Sequence, residues 1–247
     1  MNVRRSWKIS AMPDNATSLH TPLRGISSMA TRQLLAELAA AYTQHAGRVL
    51  AMESVGGVDA ARRVQAGEAF DVVVLASDAI DKLIASGHLV AGSKVDLVRS
   101  PVAIAVRAGA PQPDVGSEAA VRQAVLAARS LSYSTGPSGV FLTQLFERWG
   151  IAQDIASRLV QAPPGVPVGT LVARGEVELG FQQLSELMHL DGISVIGTLP
   201  PAIEFITTFS AALSPVTAQP HAVREMLRFM ASPEAAAAKR RQGMEPA

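Results

Sequence analysis

Five consecutive apolar residues, Val72–Ala76, constrain the fold of this chain more than any other feature. A strand with one face in water alternates apolar and polar side chains, whereas a strand buried on both faces of a parallel sheet does not. Helical patterns flank this segment over residues 57–66 and after Ser77, which is suited to cap the second helix. A glycine suited to end a helix follows each pattern (Gly67 and Gly87). Strand and helix therefore alternate, and the sequence predicts an α/β fold.

The strand–helix alternation occurs twice along the chain. The first series starts at Leu23, and the second starts at the strand pattern that follows Pro101. A further extended segment, residues 205–213, comes after Pro200 and precedes a helical C-terminal part. We therefore predict two α/β lobes with a cleft between them. The first lobe comprises residues 23–100 and 205–247, and the second comprises residues 101–204.

The N-terminal residues 1–22 do not fit either series. The first eight residues include three basic ones, Arg4, Arg5 and Lys8, as the start of a secretory signal does. An apolar stretch should follow in such a signal, but residues 9–21 are polar and include Pro13. We interpret residues 1–22 as a flexible tail. As written, the chain is then expected in the cytoplasm; it is expected in the periplasm if the true start differs or a signal has been removed.

The composition narrows the classes of partner. A net charge of +1 argues against a nucleic-acid-binding protein, which carries a clustered basic face. The absence of cysteine excludes disulfides, thiol nucleophiles and cysteine-type zinc sites, and the five histidines are scattered. Phosphate-loop, dinucleotide and nucleophile-elbow motifs are missing from the sequence. We expect a small molecule as the partner, with no metal and no cofactor.

Polar loops follow four of the predicted strands where a helix begins. In an open α/β sheet, ligands bind beyond the carboxyl ends of strands, where helix N-termini and hydroxyls attract anions. A single serine or glycine in such a loop is more simply explained as a helix cap or a turn residue, so the prediction depends on several loops converging. The predicted ligand-binding residues are Ser27, Ser28, Ser54, Gly56, Ser134, Thr135, Ser138, Gly139, Gln182 and Gln183.

Three charged side chains lie near these loops in the sequence. Glu53 directly precedes Ser54, and we predict it as a proton-transfer base; a solvated carboxylate at a strand end is the alternative. Arg107 and Arg24 stand at strand edges, where either can pair with a carboxylate ligand. An exposed surface arginine is the alternative for both.

Three stretches resemble signatures of the molybdate-binding-type periplasmic substrate-binding proteins. They are Ser27-Ser28 before an amphipathic helix, residues 67–78 and residues 174–181, and the likeness covers about residues 23–245. The resemblance implies a type II periplasmic-binding-protein-like fold, in which two lobes close on an anion and the chain crosses the hinge twice. It also implies an ABC transporter permease as partner if the protein is exported.

The same resemblance implies where an oxyanion is held. Its contacts fall on Ser27 or Ser28, on Ser54, on residues 134–139 and on residues 181–183. The family usually carries a tyrosine in the last of these loops, whereas this sequence has Gln182-Gln183 there.

Two functions follow from the resemblance. The first is binding of a small anion, an organic di- or tricarboxylate or an oxyanion, as in substrate-binding proteins of molybdate-type ABC transporters. The second comes from a branch of the fold that resembles aconitate isomerase, which moves a proton and a double bond in a small tricarboxylate. An isomerase needs a base, for which Glu53 is the candidate, whereas a binding protein needs none.

Overall fold

The fold is known from a computed structural model, which describes residues 21–163 and 165–247. The predicted flexible tail therefore lies almost wholly outside the described residues. Within them, no helix combines the length and the apolar character needed to cross a membrane.

Strands and helices alternate through most of the described chain. The strands are β1 (Leu23–Ser28), β2 (Leu50–Val55), β3 (Val72–Ala76), β4 (Val95–Arg107), β5 (Leu131–Tyr133), β6 (Leu159–Gln161), β7 (Leu179–Gln183), β8 (Ile193–Thr198), β9 (Ile206–Leu213) and β10 (Glu245–Pro246). The α-helices are α1 (Arg32–Ala46), α2 (Gly57–Gln65), α3 (Ser77–Ala85), α4 (Glu118–Ala127), α5 (Pro137–Arg148), α6 (Ala152–Ile155), α7 (Val168–Ala173), α8 (Leu184–Leu187), α9 (Pro220–Ala231) and α10 (Ala236–Arg241).

The long strand β4 belongs to two groups of strands. Its first half, up to Pro101, pairs antiparallel with β9, and Val98 and Arg99 pair with β10. Its second half, from Val102, pairs antiparallel with β7 and β8. On one side, β9 pairs antiparallel with β3, and parallel pairs continue the group from β3 to β1 and β2. On the other side, β7, β5 and β6 are joined by parallel pairs. The hydrogen-bonding partners of β4 thus change between Pro101 and Val102.

The uniform apolar character of β3 follows from packing on both of its faces. Val72, Val74 and Ala76 belong to one hydrophobic cluster, and Val73 and Leu75 belong to another. The second half of β4 follows the same rule, since Val102, Ile104 and Val106 face a different cluster from Ala103 and Ala105. A strand that is buried on both faces does not alternate apolar and polar residues, because every side chain enters a core.

The two-lobe division of the chain remains a prediction that these contacts support. The clusters that contain β1, β3 and β9 are built from residues before 100 and after 205. The buried members of the other clusters lie between residues 102 and 203. Each group of strands therefore has its own core on each side of the change in partners along β4.

The structure corrects two local predictions. Gln182 and Gln183 were expected in a loop after a strand ending at Phe181, but they form the last two residues of β7 and are buried. Ser77 was expected to cap α3 but is its first residue, and Ala76 occupies the N-cap position. Ser117 does cap α4, because its hydroxyl accepts a hydrogen bond from the Ala120 N–H at 3.2 Å.

A glycine in β7 sets how closely α7 packs on the sheet. A Cβ atom at Gly180 would lie 2.5 Å from Val172 Cγ2 and 2.8 Å from Val168 Cγ1. We expect Gly180→Ala to lower the free energy of unfolding by about 1–3 kcal/mol through overpacking. Gly56→Ala is the control, because the nearest atom to its added Cβ is 4.0 Å away. Urea denaturation measures both, and equal stability of the two variants would show that α7 moves aside freely.

Candidate functional site

A cleft of about 1090 Å³ lies between the two groups of strands. The N-terminal ends of three helices reach it: Gly56 and Gly57 at α2, Ala76 and Ser77 at α3, and the loop before α5. Each of these helices has at least nine residues, and its positive dipole end and free N–H groups favour an anion. The cleft is therefore suited to a small anionic molecule.

Most of the predicted ligand-binding residues line this cleft, but not all of them. Ser27, Ser54, Gly139, Glu53 and Arg107 lie outside its lining. The predicted residues that line it are Ser28, Gly56, Ser134, Thr135, Ser138, Gln182 and Gln183.

The two serines at the end of β1 have different environments because successive residues of a strand point to opposite faces. Ser28 faces the cleft, and its buried hydroxyl has no hydrogen-bond partner within residues 21–163 and 165–247. The Ser27 hydroxyl lies 2.8 Å from that of Ser54, its neighbour in the register of β1 with β2. Ser54 instead lines a smaller cavity that includes Arg32 and Met52. Ser28 is thus the serine of this pair that is available to a ligand in the cleft.

The loop before α5 is held tightly against the first turn of that helix. The hydroxyls of Ser134 and Ser138 lie 3.2 Å apart, and both residues line the cleft. A Cβ atom at Gly139 would lie 1.8 Å from the carbonyl oxygen of Ser134, so only glycine permits this approach. Gly139 therefore determines the shape of this loop without lining the cleft itself.

The structure does not place Glu53 at the cleft, contrary to its predicted role as a base there. Its carboxylate accepts hydrogen bonds from the Arg63 guanidinium at 2.5 and 2.9 Å, and the same arginine also binds Glu68. The hydrogen bond from Arg63 holds the pKa of Glu53 below its usual value. A depressed pKa weakens a base, so both position and chemistry disfavour this role.

Arg107 also lies far from the predicted site. It ends β4, whereas Gln183 ends β7, and these two strands run antiparallel with Val106 opposite Leu179 and Val102 opposite Gln183. The carboxyl end of β4 is therefore at the other end of the pair from the cleft. Its side chain is near Gly175, 3.5 Å from the position of an added Cβ.

The two glutamines of β7 form part of the cleft wall. Gln182 Nε2 donates a hydrogen bond to Glu186 Oε1 at 2.8 Å, and its Oε1 accepts one from the Gly169 N–H at 3.4 Å. Gln183 Nε2 donates to Thr207 Oγ1 in β9 at 2.7 Å, while its buried Oε1 has no hydrogen-bond partner among the described residues. Gln183 thus connects the strands on the two sides of β4 and presents an unsatisfied polar atom.

Glu186, in α8, is a cleft residue that the sequence did not reveal. It is half-buried, lines the cleft and touches Gln182. Burial raises the pKa of Glu186 to about 7, although the hydrogen bond from Gln182 acts in the opposite direction. A carboxyl group with a pKa near neutrality can exchange a proton readily at physiological pH.

The charged side chains of the cleft rim are mostly paired within their own helices. Arg62 binds Asp59 at 2.7 Å in α2, and Lys82 lies 3.5 Å from Asp78 in α3. Both cations are largely exposed, at 75% and 78% of their side-chain surface. Among the described residues that line the cleft, Arg62 is the only arginine and Lys82 is the only lysine. The inner wall, in contrast, offers neutral donors and acceptors.

The sequence over residues 23–245 matches the bacterial extracellular solute-binding proteins, and the chain belongs to this family. This membership and the structural likenesses below confirm the predicted α/β fold of the periplasmic-binding-protein type.

Individual relatives narrow the comparison. An aconitate isomerase from a Pseudomonas species is 37% identical over 244 residues, which cover 96% of this chain and 93% of that protein. The periplasmic molybdate-binding protein of Azotobacter vinelandii aligns with a TM-score of 0.75 at 19% identity, covering 90% of this chain and 98% of the other. The sulfate-binding protein of Mycobacterium tuberculosis aligns with a TM-score of 0.74 at 15% identity, covering 92% and 87%.

The raised pKa of Glu186 makes the stability of the fold depend on pH. Because the folded-state pKa of about 7 exceeds the ordinary value of 4.5, this group favours folding fully at low pH and loses that contribution as pH rises through 7. A shift of this size corresponds to at most about 3 kcal/mol. We expect Glu186→Gln to remove about 1–3 kcal/mol of the loss in unfolding free energy between about pH 4.5 and pH 8.

Urea denaturation at the two pH values measures this effect. Glu147→Gln is the matched control, because Glu147 is exposed on α5 and does not line the cleft. An identical pH dependence in the parent and in Glu186→Gln would contradict the raised pKa.

Proposed function

We propose that the protein binds a small organic di- or tricarboxylate in the cleft and isomerises it by moving a proton and a double bond. The similarity to an aconitate isomerase, 37% over 96% of the chain, is the observation that carries this proposal. The substrate class is therefore that of aconitate.

The inner wall of the cleft supports recognition of a carboxylate by neutral groups. The Ser28 hydroxyl lacks a partner in the structure, and the Ser134 and Ser138 hydroxyls can turn towards a ligand. Free N–H groups at the start of α2 and α5 add backbone donors. Hydrogen bonds from such donors to a charged ligand are stronger than those between neutral groups.

The rim supports recognition of a second carboxylate. Arg62 and Lys82 reach the cleft from adjacent helices and are exposed enough to turn towards a ligand. An exposed pair such as Arg62 with Asp59 is weak, so exchanging an aspartate for a substrate carboxylate costs little. A molecule with two or three carboxylates can thus be held at the wall and at the rim together.

A second candidate function is that of a receptor without catalysis. It is favoured by the family and by the structural similarity to the molybdate- and sulfate-binding proteins. In this role the protein would act in the periplasm and deliver an anion to an ABC transporter permease.

Two measurements separate the candidates. Incubation of the parent protein with trans-aconitate, followed by chromatographic detection of cis-aconitate, tests the isomerase. Titration calorimetry with trans-aconitate, molybdate and sulfate tests the receptor. Conversion of trans-aconitate supports the isomerase, whereas binding of an oxyanion without any conversion would contradict it.

The unpartnered hydroxyl of Ser28 gives a sharper test of the binding site. We expect Ser28→Ala to weaken binding of trans-aconitate by roughly 10–150-fold, because a hydrogen bond to a charged group contributes about 1.5–3 kcal/mol. Ser100→Ala is the matched control: Ser100 also has a buried hydroxyl without a partner, but it does not line the cleft. Calorimetry that finds equal affinities for the two variants would place the site elsewhere.

A further inference from the structure

We infer that Glu186 is the residue that removes and returns the migrating proton, and that Gln182 is its positioning residue. This inference rests on the proposed isomerase function and assigns the chemistry to a side chain that lines the cleft.

The position of Glu186 is fixed by the sheet. Helix α8 begins directly after β7, so Gln182 and Glu186 lie four residues apart at the junction of strand and helix. The Gly169 N–H binds Gln182 Oε1, which orients the amide so that Nε2 donates to Glu186 Oε1 at 2.8 Å. Among the described residues, no other group donates to this carboxylate, so its second oxygen is available to a substrate.

Ser185, the residue of α8 directly before Glu186, anchors the helix to another element. The Ser185 hydroxyl donates to the carbonyl oxygen of Ala30 at 2.9 Å, and Ala30 is two residues after Ser28 in the chain. Helix α8 thus contacts the turn that follows β1, and both Ser28 and Glu186 line the same cleft. A carboxylate substrate held at Ser28 would be presented to the part of the wall that carries Glu186.

The other carboxylates of the cleft are less suited to this role. Asp78 and Asp81 are exposed and pair with Lys82 and Lys94. Asp96 accepts a hydrogen bond from the Ser210 hydroxyl at 2.6 Å. Each of these three carboxylates is thus already engaged by a cation or a hydroxyl donor.

The surroundings of Glu186 keep its basicity high. The elements packed against α8 are β4, β7, β8 and the turn at residues 29–31. Burial dominates and raises the pKa of Glu186 to about 7, with Gln182 as the one described group that opposes it; no charged group from those elements contributes. The nearby His189 is turned towards Gln242 at 2.9 Å.

The proposed reaction is balanced without a co-reactant. The ionised Glu186 carboxylate takes a proton from the methylene carbon of trans-aconitate, and that C–H bond breaks. Its electron pair forms the new double bond, while the electrons of the original double bond become available at the former alkene carbon. The protonated Glu186 then gives a proton to that carbon, which forms the new C–H bond and restores the carboxylate.

The experiment compares the parent with Glu186→Gln, Glu186→Asp and the control Glu147→Gln. For each, turnover of trans-aconitate is measured, its binding is followed by calorimetry, and folding is checked by thermal melting. We expect Glu186→Gln to lose about 10²–10⁴-fold in turnover while still binding the substrate, because a positioned base contributes that factor. Glu186→Asp, which keeps a displaced carboxylate, should retain more turnover than Glu186→Gln.

The pH profile separates positioning from simple structural support. Turnover by the parent should rise with pH through about 7, because the ionised form of Glu186 is the base. Gln182→Met removes the donor that favours this ionised form, so the rise should move to higher pH. An unchanged midpoint in Gln182→Met would overturn the positioning role.

Each remaining outcome decides a different point. Full turnover by Glu186→Gln overturns this inference and leaves the isomerase function standing. Loss of turnover in Glu53→Gln, with Glu186→Gln still active, would assign the base to Glu53 instead. A parent protein that binds trans-aconitate without converting it overturns both the isomerase function and the role of Glu186.

Discussion

The change of hydrogen-bonding partners along β4 is the constraint on which the rest of the structure depends. This one continuous strand pairs with β9 and β10 up to Pro101, and with β7 and β8 from Val102 onward. Two groups of strands with separate cores are thereby joined through one backbone, and the cleft lies between them. Gln183, in the cleft wall, donates a hydrogen bond to Thr207, so a side chain of β7 is also linked directly to β9 on the other side of β4.

The sequence predicted the architecture well because local pattern and burial agree. The unbroken apolar character of β3 indicated a doubly covered strand, and its residues do enter two different clusters. The buried face of α1 consists of residues at helical spacing, Leu34, Leu35, Leu38 and Tyr42. Solute-binding function followed from motifs carried by these elements, and family membership confirms it.

The site was harder to predict because it depends on orientation and on distant contacts. The sequence alone does not distinguish Ser27 from Ser28 as a ligand-binding residue. Successive side chains of a strand point to opposite faces, so Ser28 lines the cleft and Ser27 contacts Ser54 instead. Glu53 resembled a loop carboxylate because its partner Arg63 is ten residues away in the next helix. The sequence prediction ended a strand at Phe181 and therefore placed Gln182 and Gln183 in a loop, whereas β7 continues to Gln183. Glu186 was not predicted, because its raised pKa results from burial, which the local sequence pattern does not indicate.

The neutral chemistry of the inner wall has a consequence for proton transfer. Where anions are recognised through hydroxyls, amides and helix N-termini, a new carboxylate on that wall meets no cation that would suppress its basicity. A carboxylate on such a wall therefore keeps its affinity for a proton while the neutral groups around it recognise the anion. Had the same anions been bound by a buried arginine, that arginine would lower the proton affinity of any neighbouring acid.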